Sequence, residues 1–359
     1  MNRVFNFSAG PATLPLPVLE EAQGEFLDFR GSGMSVMEMS HRGPEFMGIY
    51  KESVQLLREV ASVPDNFDIL YMTGGASQQF TLIPMNFSKP GNRAGYINTG
   101  TWSKKAIAQA GLQGVEAHIC ASSDDANFAY IPDKLDLPQG LDYVHMTSNN
   151  TIVGTQFAKF PALQGDAKLM IDMSSDFLSR PIDWTNIGMV YAGAQKNAGP
   201  SGLTIVIVDK AYYERESDKT PPLLRYSTYA ENESMYNTPP TFPIYIFGLV
   251  LKWIRSQGGL EKMDALNREK AALIYDALDA LPEHYLPHAR QDSRSLMNIT
   301  FNLKDKSREK EFLEGSVARK LSGLKGHRSV GGFRASIYNA MPRAGCEALA
   351  AYLGEFAGG

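Results

Sequence analysis

The sequence predicts an α/β protein: a mostly parallel sheet covered by helices on both faces, followed by a smaller α+β part. Three observations predict it. Between residues 16 and 208, apolar runs of strand length alternate with stretches whose apolar residues recur at helical spacing. Several of these runs lead directly into turns of small or hydroxyl residues, as at Thr73-Gly74-Gly75-Ala76-Ser77, which is where open α/β sheets bind ligands. Beyond Asp209 the strict alternation gives way to an irregular stretch and then to a less ordered mixture of helices and strands.

Residues 1–15 contain Asn6-Phe7-Ser8-Ala9-Gly10-Pro11-Ala12 and run into further prolines, which excludes regular helix or central strand and predicts an extended arm laid over other structure. Leu16, Leu19, Ala22, Phe26 and Leu27 share helical spacing, so a helix is expected over 16–29, stopped by Gly31-Ser32-Gly33. The loop Ser40-His41-Arg42-Gly43-Pro44 precedes a helix over 45–60. Its His-Arg pair is either an anion ligand or two solvated loop charges. The run 67–72 is a buried strand, 73–77 a glycine turn and 78–85 a helix. That order binds phosphate, because small residues let backbone N–H groups approach an anion at the positive end of a helix. No lysine follows as in a Walker A loop and the turn does not match GxGxxG, so a dinucleotide site is not indicated.

Strand 94–98 leads into Thr99-Gly100-Thr101-Trp102-Ser103, which opens the next helix; Trp102 is either a stacking platform for a flat ring or a core residue. Strands over 114–120 and 142–146 follow, the second ending in the hydroxyl-rich turn Thr147-Ser148-Asn149-Asn150-Thr151. Residues 213–237 are charged and irregular, and Pro239-Pro240 hold off the next helix. An apolar helix over 244–256 and an amphipathic one over 260–281 come next, the latter of the kind that links two domains. Strands over 295–303 and 333–337 and helices over 310–321 and 345–356 complete a smaller α+β domain, with the N-terminal arm added to it. The expected division is therefore a large domain over 16–258 and a small one made of 1–15 and 259–359.

The chemistry gathers around Lys196. It stands in Ala192-Gly193-Ala194-Gln195-Lys196-Asn197-Ala198-Gly199-Pro200-Ser201-Gly202, between the buried strand 187–192 and the strand 203–208. Its amine is either a turn cap or, lowered in pKa by partial burial, a Schiff-base nucleophile. Asp172 tips the balance: it ends the strand 167–171, one crossover and one return strand before Lys196, so both fall on the ligand edge. That pairing suits pyridoxal phosphate, whose ring nitrogen needs a carboxylate to stay protonated while a lysine holds the aldehyde carbon. Downstream, Gly326-His327-Arg328 repeats the His-Arg pair and Arg334 lies on a strand. Such local cations in a chain of net charge −4 point to a small dianionic or dicarboxylic substrate.

Composition excludes several classes. The net negative charge gives no basic footprint for nucleic acid. No stretch is long and apolar enough to span a bilayer, since 242–254 is interrupted by Pro243, Gly248 and Lys252, and the start lacks the apolar core of a signal peptide; a cytoplasmic protein without membrane contact is expected. Cys120 and Cys346 have neither disulfide-framework nor zinc spacing and are expected to be buried thiols, with no metal site.

Assembled, the chain resembles the phosphoserine aminotransferases of the bacterial type, in the class V branch of fold-type I pyridoxal-phosphate enzymes. The resemblance runs nearly end to end: FNFSAGPATLP, MEMSHRGPEF, MTGGASQQF, TGTWSKKA, TSNNTIVGTQF, IDMSSD, YAGAQKNAGPSGLT, NTPPTFPIYI and HRSVGGFRASIYNAMP. It implies a seven-stranded, mostly parallel sheet in the large domain and a homodimer with shared active sites. It implies that Lys196 carries the cofactor and moves the proton between Cα and C4′, that Asp172 pairs with the pyridine nitrogen, that Trp102 stacks on the ring and that Thr151 bonds its phenolic oxygen. Ala76, Ser77 and Gln195 would hold the cofactor phosphate, with Asn237 and Thr238 from the partner subunit. Family members often carry arginine where Ser77 stands, which leaves cofactor affinity open. Arg334 would clamp the α-carboxylate, with His41, Arg42, His327 and Arg328 around the distal phosphate of phosphoserine or the side-chain carboxylate of L-glutamate. The implied reaction is amino transfer between glutamate and 3-phosphohydroxypyruvate, with 4-phosphohydroxythreonine, a second substrate in the family, left open. Another class V enzyme, such as an alanine-glyoxylate aminotransferase or a cysteine desulfurase, and a non-catalytic phosphate-binding protein are the competing readings. A desulfurase needs a cysteine on a mobile loop, and a binding module has no use for Asp172 facing Lys196.

Overall fold

The computed structural model describes residues 3–163 and 165–358. Its central sheet has seven strands in the order Phe67–Met72, Thr204–Asp209, Ile187–Gly193, Leu169–Asp172, Leu141–Thr147, Arg93–Asn98, Glu116–Ser122. Thr204–Asp209 runs antiparallel to both neighbours, and every other pairing is parallel. All strands but that one therefore deliver their C-terminal ends to a single edge, where Met72, Asn98, Thr147, Asp172 and Gly193 arrive. Ile187–Gly193 is buried along its whole length, as a strand covered on both faces must be.

Side chains of a strand alternate between faces, and the two cores follow that alternation. On one face Ile69, Tyr71, Ile171, Val190, Ile205 and Ile207 pack under helices Pro44–Val60 and Thr241–Ser256. On the other, Leu70, Met72, Met170, Met189, Val206 and Val208 pack under Gly75–Phe87 and Thr101–Leu112. Pro44–Val60 shows why such segments become helices: proline in the first turn, Glu45 beside it at the positive end, and Phe46, Ile49, Tyr50, Ser53, Leu56 and Leu57 on one buried face.

A third core lies beyond residue 259. It is built on the antiparallel sheet Tyr285–Pro287, Asn298–Leu303, Phe333–Ser336, covered by Glu309–Ala318 and Arg343–Gly358. Helix Gly259–Asp279 joins the cores, giving Leu260 and Met263 to the first and Ala271, Ile274 and Leu278 to the third. The N-terminal arm reaches the third core as well: Phe5–Asn6 pairs in parallel with Leu321–Ser322, and Phe7 is fully buried there.

Several element ends differ from expectation. The first helix stops at Gly24, where Glu25 at φ −94° and ψ 4° leaves the helical path, and the apolar Phe26 and Leu27 that extended the pattern lie exposed. The strand expected from 114 begins at Glu116, since Gly114 closes the preceding helix at φ +74° and Val115 N–H returns to the Ala110 carbonyl. The helix expected from 244 starts at Thr241, with Pro243 in the first turn, where its missing N–H costs nothing. The strand expected from 295 starts at Asn298, because Ser295 Oγ accepts from the Met297 and Asn298 amides and turns the chain. The two-residue ladder Asn149–Asn150 with Thr155–Gln156 and the strand Tyr285–Pro287 had no sequence signal.

Candidate active site

The turn after Ile187–Gly193 is tight. Ala198 and Gly199 N–H both return to the Ala194 carbonyl, at 3.2 and 2.7 Å, so the residues between must project outward. Lys196 is one of them. Its Nζ donates to Thr151 Oγ1 at 2.8 Å and lies 5.3 Å from the centre of the Trp102 ring. The N-terminal arm presses on the same lysine: a Cβ on Gly10, at φ +155°, would stand 3.2 Å from Lys196 Cγ, and Ala12 N–H donates to the Gln195 carbonyl at 3.0 Å. Burial pulls the Lys196 pKa below the usual lysine value; Asp172 opposes the shift and Arg334 adds to it.

Asp172, buried at its strand end, accepts from the Ser174 amide at 3.0 Å and the Ser174 hydroxyl at 2.6 Å, both at Oδ1. Ser174 Oγ in turn accepts from Gly193 N–H at 3.1 Å, which ties this carboxylate to the strand leading to Lys196. Burial raises the Asp172 pKa, while Lys196 and the Ser174 bonds pull it back. A second buried carboxylate, Asp176, accepts from Ser148 Oγ and, at 3.1 Å, from Gln156 Nε2.

Ala76 and Ser77 fall in the first turn of Gly75–Phe87, which starts earlier than the sequence predicted. No side chain caps that helix, so its leading N–H groups stay available to an anion. Gly74 makes the approach possible: it holds φ +83°, and a Cβ there would collide with Gln78 Oε1 at 1.7 Å. Trp102 sits half-buried in the first turn of Thr101–Leu112, its Nε1 buried without a partner. Lys105 Nζ lies 4.7 Å from the same ring. A carboxylate with one free oxygen, an amine, an aromatic face and an open helix start are the donor set that a phosphorylated pyridine aldehyde requires, and the residues fit pyridoxal phosphate.

Arg334, on Phe333–Ser336, is partly buried, and its Nη1 donates to the Thr151 carbonyl at 3.4 Å while Nε is buried and unpaired. Beside it stands His327, whose pKa is pushed down by burial and then by Arg334, Arg328 and Lys105. Its Nδ1 accepts from Ser329 N–H at 3.2 Å. The structure thus groups His327, Arg328 and Arg334 and adds Lys105. Among the described residues, no hydrogen bond or ion pair joins His41 or Arg42 of the first His-Arg pair to this group. His41 Nε2 is buried and unpaired, and Arg42 is exposed. Asn237 and Thr238 are exposed on the stretch before Thr241–Ser256.

Sequence reasoning passed over Ser174, Lys105 and Asn197. The spacing that puts Lys105 one helical turn after Trp102 was readable; the bonds of Ser174, and those of Asn197, whose Nδ2 donates to the Phe177 carbonyl at 2.6 Å and whose Oδ1 accepts from the Asn339 amide, depend on tertiary placement. Both thiols are buried, with pKa values pushed up to about 11 by desolvation, so neither is a ready nucleophile. Among the described residues, no cluster of His, Cys, Asp and Glu could hold a metal ion, and no helix is long and apolar enough to cross a membrane.

This geometry has close counterparts. The family model for class-V aminotransferases matches residues 4–349. A phosphoserine aminotransferase of Desulfosudis oleivorans is 52% identical over 355 residues, covering 99% of this chain and 98% of that protein. The solved phosphoserine aminotransferase of Bacillus circulans subsp. alkalophilus superposes with a TM-score of 0.97 at 49% identity, covering 99% of each chain. A phosphoserine aminotransferase structure recording radiation damage of its Schiff base also gives 0.97, at 47% identity, covering 100% of this chain and 99% of its own. Since the likeness in sequence and fold runs from the arm over Lys196 to the last helix, the chain belongs to the class-V aminotransferases, within their phosphoserine aminotransferase branch.

Proposed function

We propose that the protein transfers an amino group reversibly between L-glutamate and 3-phosphohydroxypyruvate, giving O-phospho-L-serine and 2-oxoglutarate for serine biosynthesis, with pyridoxal phosphate as cofactor. The observation that carries this reading is Lys196, held with lowered pKa between Thr151, Trp102 and the field of buried Asp172.

Pyridoxal phosphate, when bound, supplies an electron sink for the pair left at the substrate Cα. The chain's own residues do the rest. Lys196, favoured as a free base by its burial, would take the substrate Cα proton and give it back at the cofactor's C4′. Asp172, oriented by Ser174, keeps a proton on the pyridine nitrogen. Trp102 would cover the cofactor ring and exclude water, and Thr151, which already accepts from Lys196 Nζ, would bond the phenolic oxygen. The amides of Ala76 and Ser77 at the uncapped helix start, with Gln195, would hold the cofactor phosphate, and Asn237 and Thr238 of a second copy would complete its shell. Arg334 takes the α-carboxylate. His41, Arg42, His327 and Arg328 receive the phosphate of one substrate and the side-chain carboxylate of the other, so one basic pocket serves both halves of a ping-pong reaction.

A homodimer follows from the same reading. Phe26 and Leu27 are exposed near the partly exposed Phe242 and only a few residues separate Phe242 from Thr238, an apolar surface that a second copy would cover. That second copy is also the route by which His41 and Arg42 would join a basic pocket. We divide the chain into a large domain over 16–258 and a small domain of 1–15 with 259–359, the boundary falling at the helix shared by two cores. Two free thiols suit a cytoplasmic location.

The test is an assay of the purified holoenzyme with glutamate against 3-phosphohydroxypyruvate, against the 2-oxo acid precursor of 4-phosphohydroxythreonine, and with alanine against glyoxylate. Formation of O-phospho-L-serine is expected. Turnover of the alanine-glyoxylate pair alone would move the chain to another class-V activity.

A further inference from the structure

Helix Gly259–Asp279 carries a second lysine that no step above uses. Lys270 is wholly buried, and its Nζ donates to the carbonyls of Ile337, Tyr338, Asn339 and Met341 at 3.1, 2.8, 3.4 and 3.2 Å. An ammonium has three donors, so four backbone dipoles share one charge. Its titratable neighbour is the Cys346 thiol on Arg343–Gly358, and no carboxylate acts on it. Burial draws its pKa to about 8. A buried cation balanced only by carbonyls is costly, and a methionine would fill the same space without that cost.

The segment this cation gathers is the joint between the two halves of the site. It follows directly on Phe333–Ser336, the strand of Arg334. Asn339 N–H donates to Asn197 Oδ1 at 2.8 Å, and Asn197 adjoins Lys196. Asn339 Nδ2 donates to the Leu178 carbonyl at 2.8 Å, and Asn267, one turn before Lys270, donates to Asn339 Oδ1 at 2.8 Å. Tyr338 OH donates at 2.7 Å to the carbonyl of Ala9, the neighbour of the glycine that packs on Lys196.

Resting on the reading of Arg334 as the carboxylate clamp, we propose that Lys270 is a positioning residue for transamination: by gathering the carbonyls of 337–341 it fixes the strand of Arg334 against the turn of Lys196. A small drift between those two groups is enough to matter, since misplacement by 1 Å can cost about 100-fold in rate.

Calorimetric titration of holoenzyme variants with glutarate, which needs Arg334, and with inorganic phosphate, which needs only the basic pocket, separates positioning from general loss of structure. Lys270→Met is expected to weaken glutarate about tenfold while phosphate stays within about twofold, and to raise KM for glutamate more than it lowers kcat. Arg334→Gln is the control. If it leaves glutarate binding unchanged, the clamp reading falls and this proposal with it. If it weakens glutarate and Lys270→Met does not, or if Lys270→Met weakens both ligands equally, this proposal alone is overturned. Should Lys270→Met fail to fold, Asn267→Ala makes the same test through Asn339, with a selective loss of about threefold expected and an unchanged glutarate affinity counting against the proposal.

Discussion

The Lys196 amine and the Thr151 hydroxyl are joined at 2.8 Å, and the carbonyl of that same threonine accepts from Arg334. One residue of a hydroxyl-rich turn thus stands between the amine that would do the chemistry and the cation that would hold the substrate. Both long side chains are thereby held to one residue, which suits a reaction whose rate depends on the placement of Cα.

Borohydride reduction of the holoenzyme should fix the cofactor to Lys196 and to no other lysine; peptide mapping by mass reads the site. Lys196→Ala should keep some cofactor through the helix start at Gly75 yet lose transamination by about 1,000-fold or more. A labelled peptide elsewhere would remove Lys196 from its role.

Asp172→Asn should bind the cofactor but turn over at least about 100-fold slower, because an amide cannot keep the pyridine nitrogen protonated. The isosteric amide preserves the hydrogen bonds to Ser174 in outline, so circular dichroism should be unchanged. Near-normal turnover would refute the assignment.

Burial holds the Lys196 pKa below 10.5 and Asp172 pushes it back up. The free base therefore appears at lower pH than for an exposed lysine. Capture of pyridoxal phosphate by the apoprotein, followed by absorbance after rapid mixing, should speed up with rising pH and level off before 10.5. In Asp172→Asn the opposing charge is gone and the midpoint should move to lower pH; movement upward would contradict the coupling.

Gly74→Ala places a side chain at φ +83° in the phosphate turn. Strain of about 1–2 kcal/mol is expected, and if the turn relieves it by tilting its amides, the cofactor dissociation constant should rise about tenfold. Fluorescence titration of the apoprotein checks this, and an unchanged constant together with an unchanged melting temperature would contradict the strain expected at Gly74.

Mixing Lys196→Ala with a chain substituted at Asn237 and Thr238 should restore part of the activity, because the mixed dimer holds one site with an intact lysine and an intact partner shell. The other site carries both defects, so recovery stays below wild type. If mass measurement shows subunit exchange and mixing restores nothing, the phosphate site is built within one chain.

Much of this site was readable because its parts lie at predictable places on the fold. Asp172 ends a strand and Lys196 follows one, and in an open α/β sheet both ends reach the same edge. The glycine turn announced a helix start, though the helix takes in Gly75 to Ser77 sooner than the low helix propensity of glycine and the turn-like run around it suggest. What stayed hidden depends on distant chain segments. The bond from Arg334 to Thr151 and the web from Lys270 through Asn339 to Asn197 have no local signature, since partners brought together by tertiary folding share no spacing. Leu27 misleads in the other direction: its helical spacing extends the expected helix to 29, whereas it lies beyond the helix end at Gly24 and is exposed.

The order of strands has a bearing on how the protein comes off the ribosome. Phe67–Met72 sits at the sheet edge with Thr204–Asp209 as its neighbour, so the strand that delivers the phosphate turn is translated long before the strand that docks it. Phe5–Asn6 waits longer still, until Leu321–Ser322 has emerged. An unfinished chain therefore carries unpaired strand edges exposed to wrong partners, and the arm that brings Gly10 against Lys196 has no strand to pair with until Leu321–Ser322 is made. The strand ends that carry Asp172 and Lys196 are thus made well before Leu321–Ser322, the strand that ties down the arm lying against Lys196.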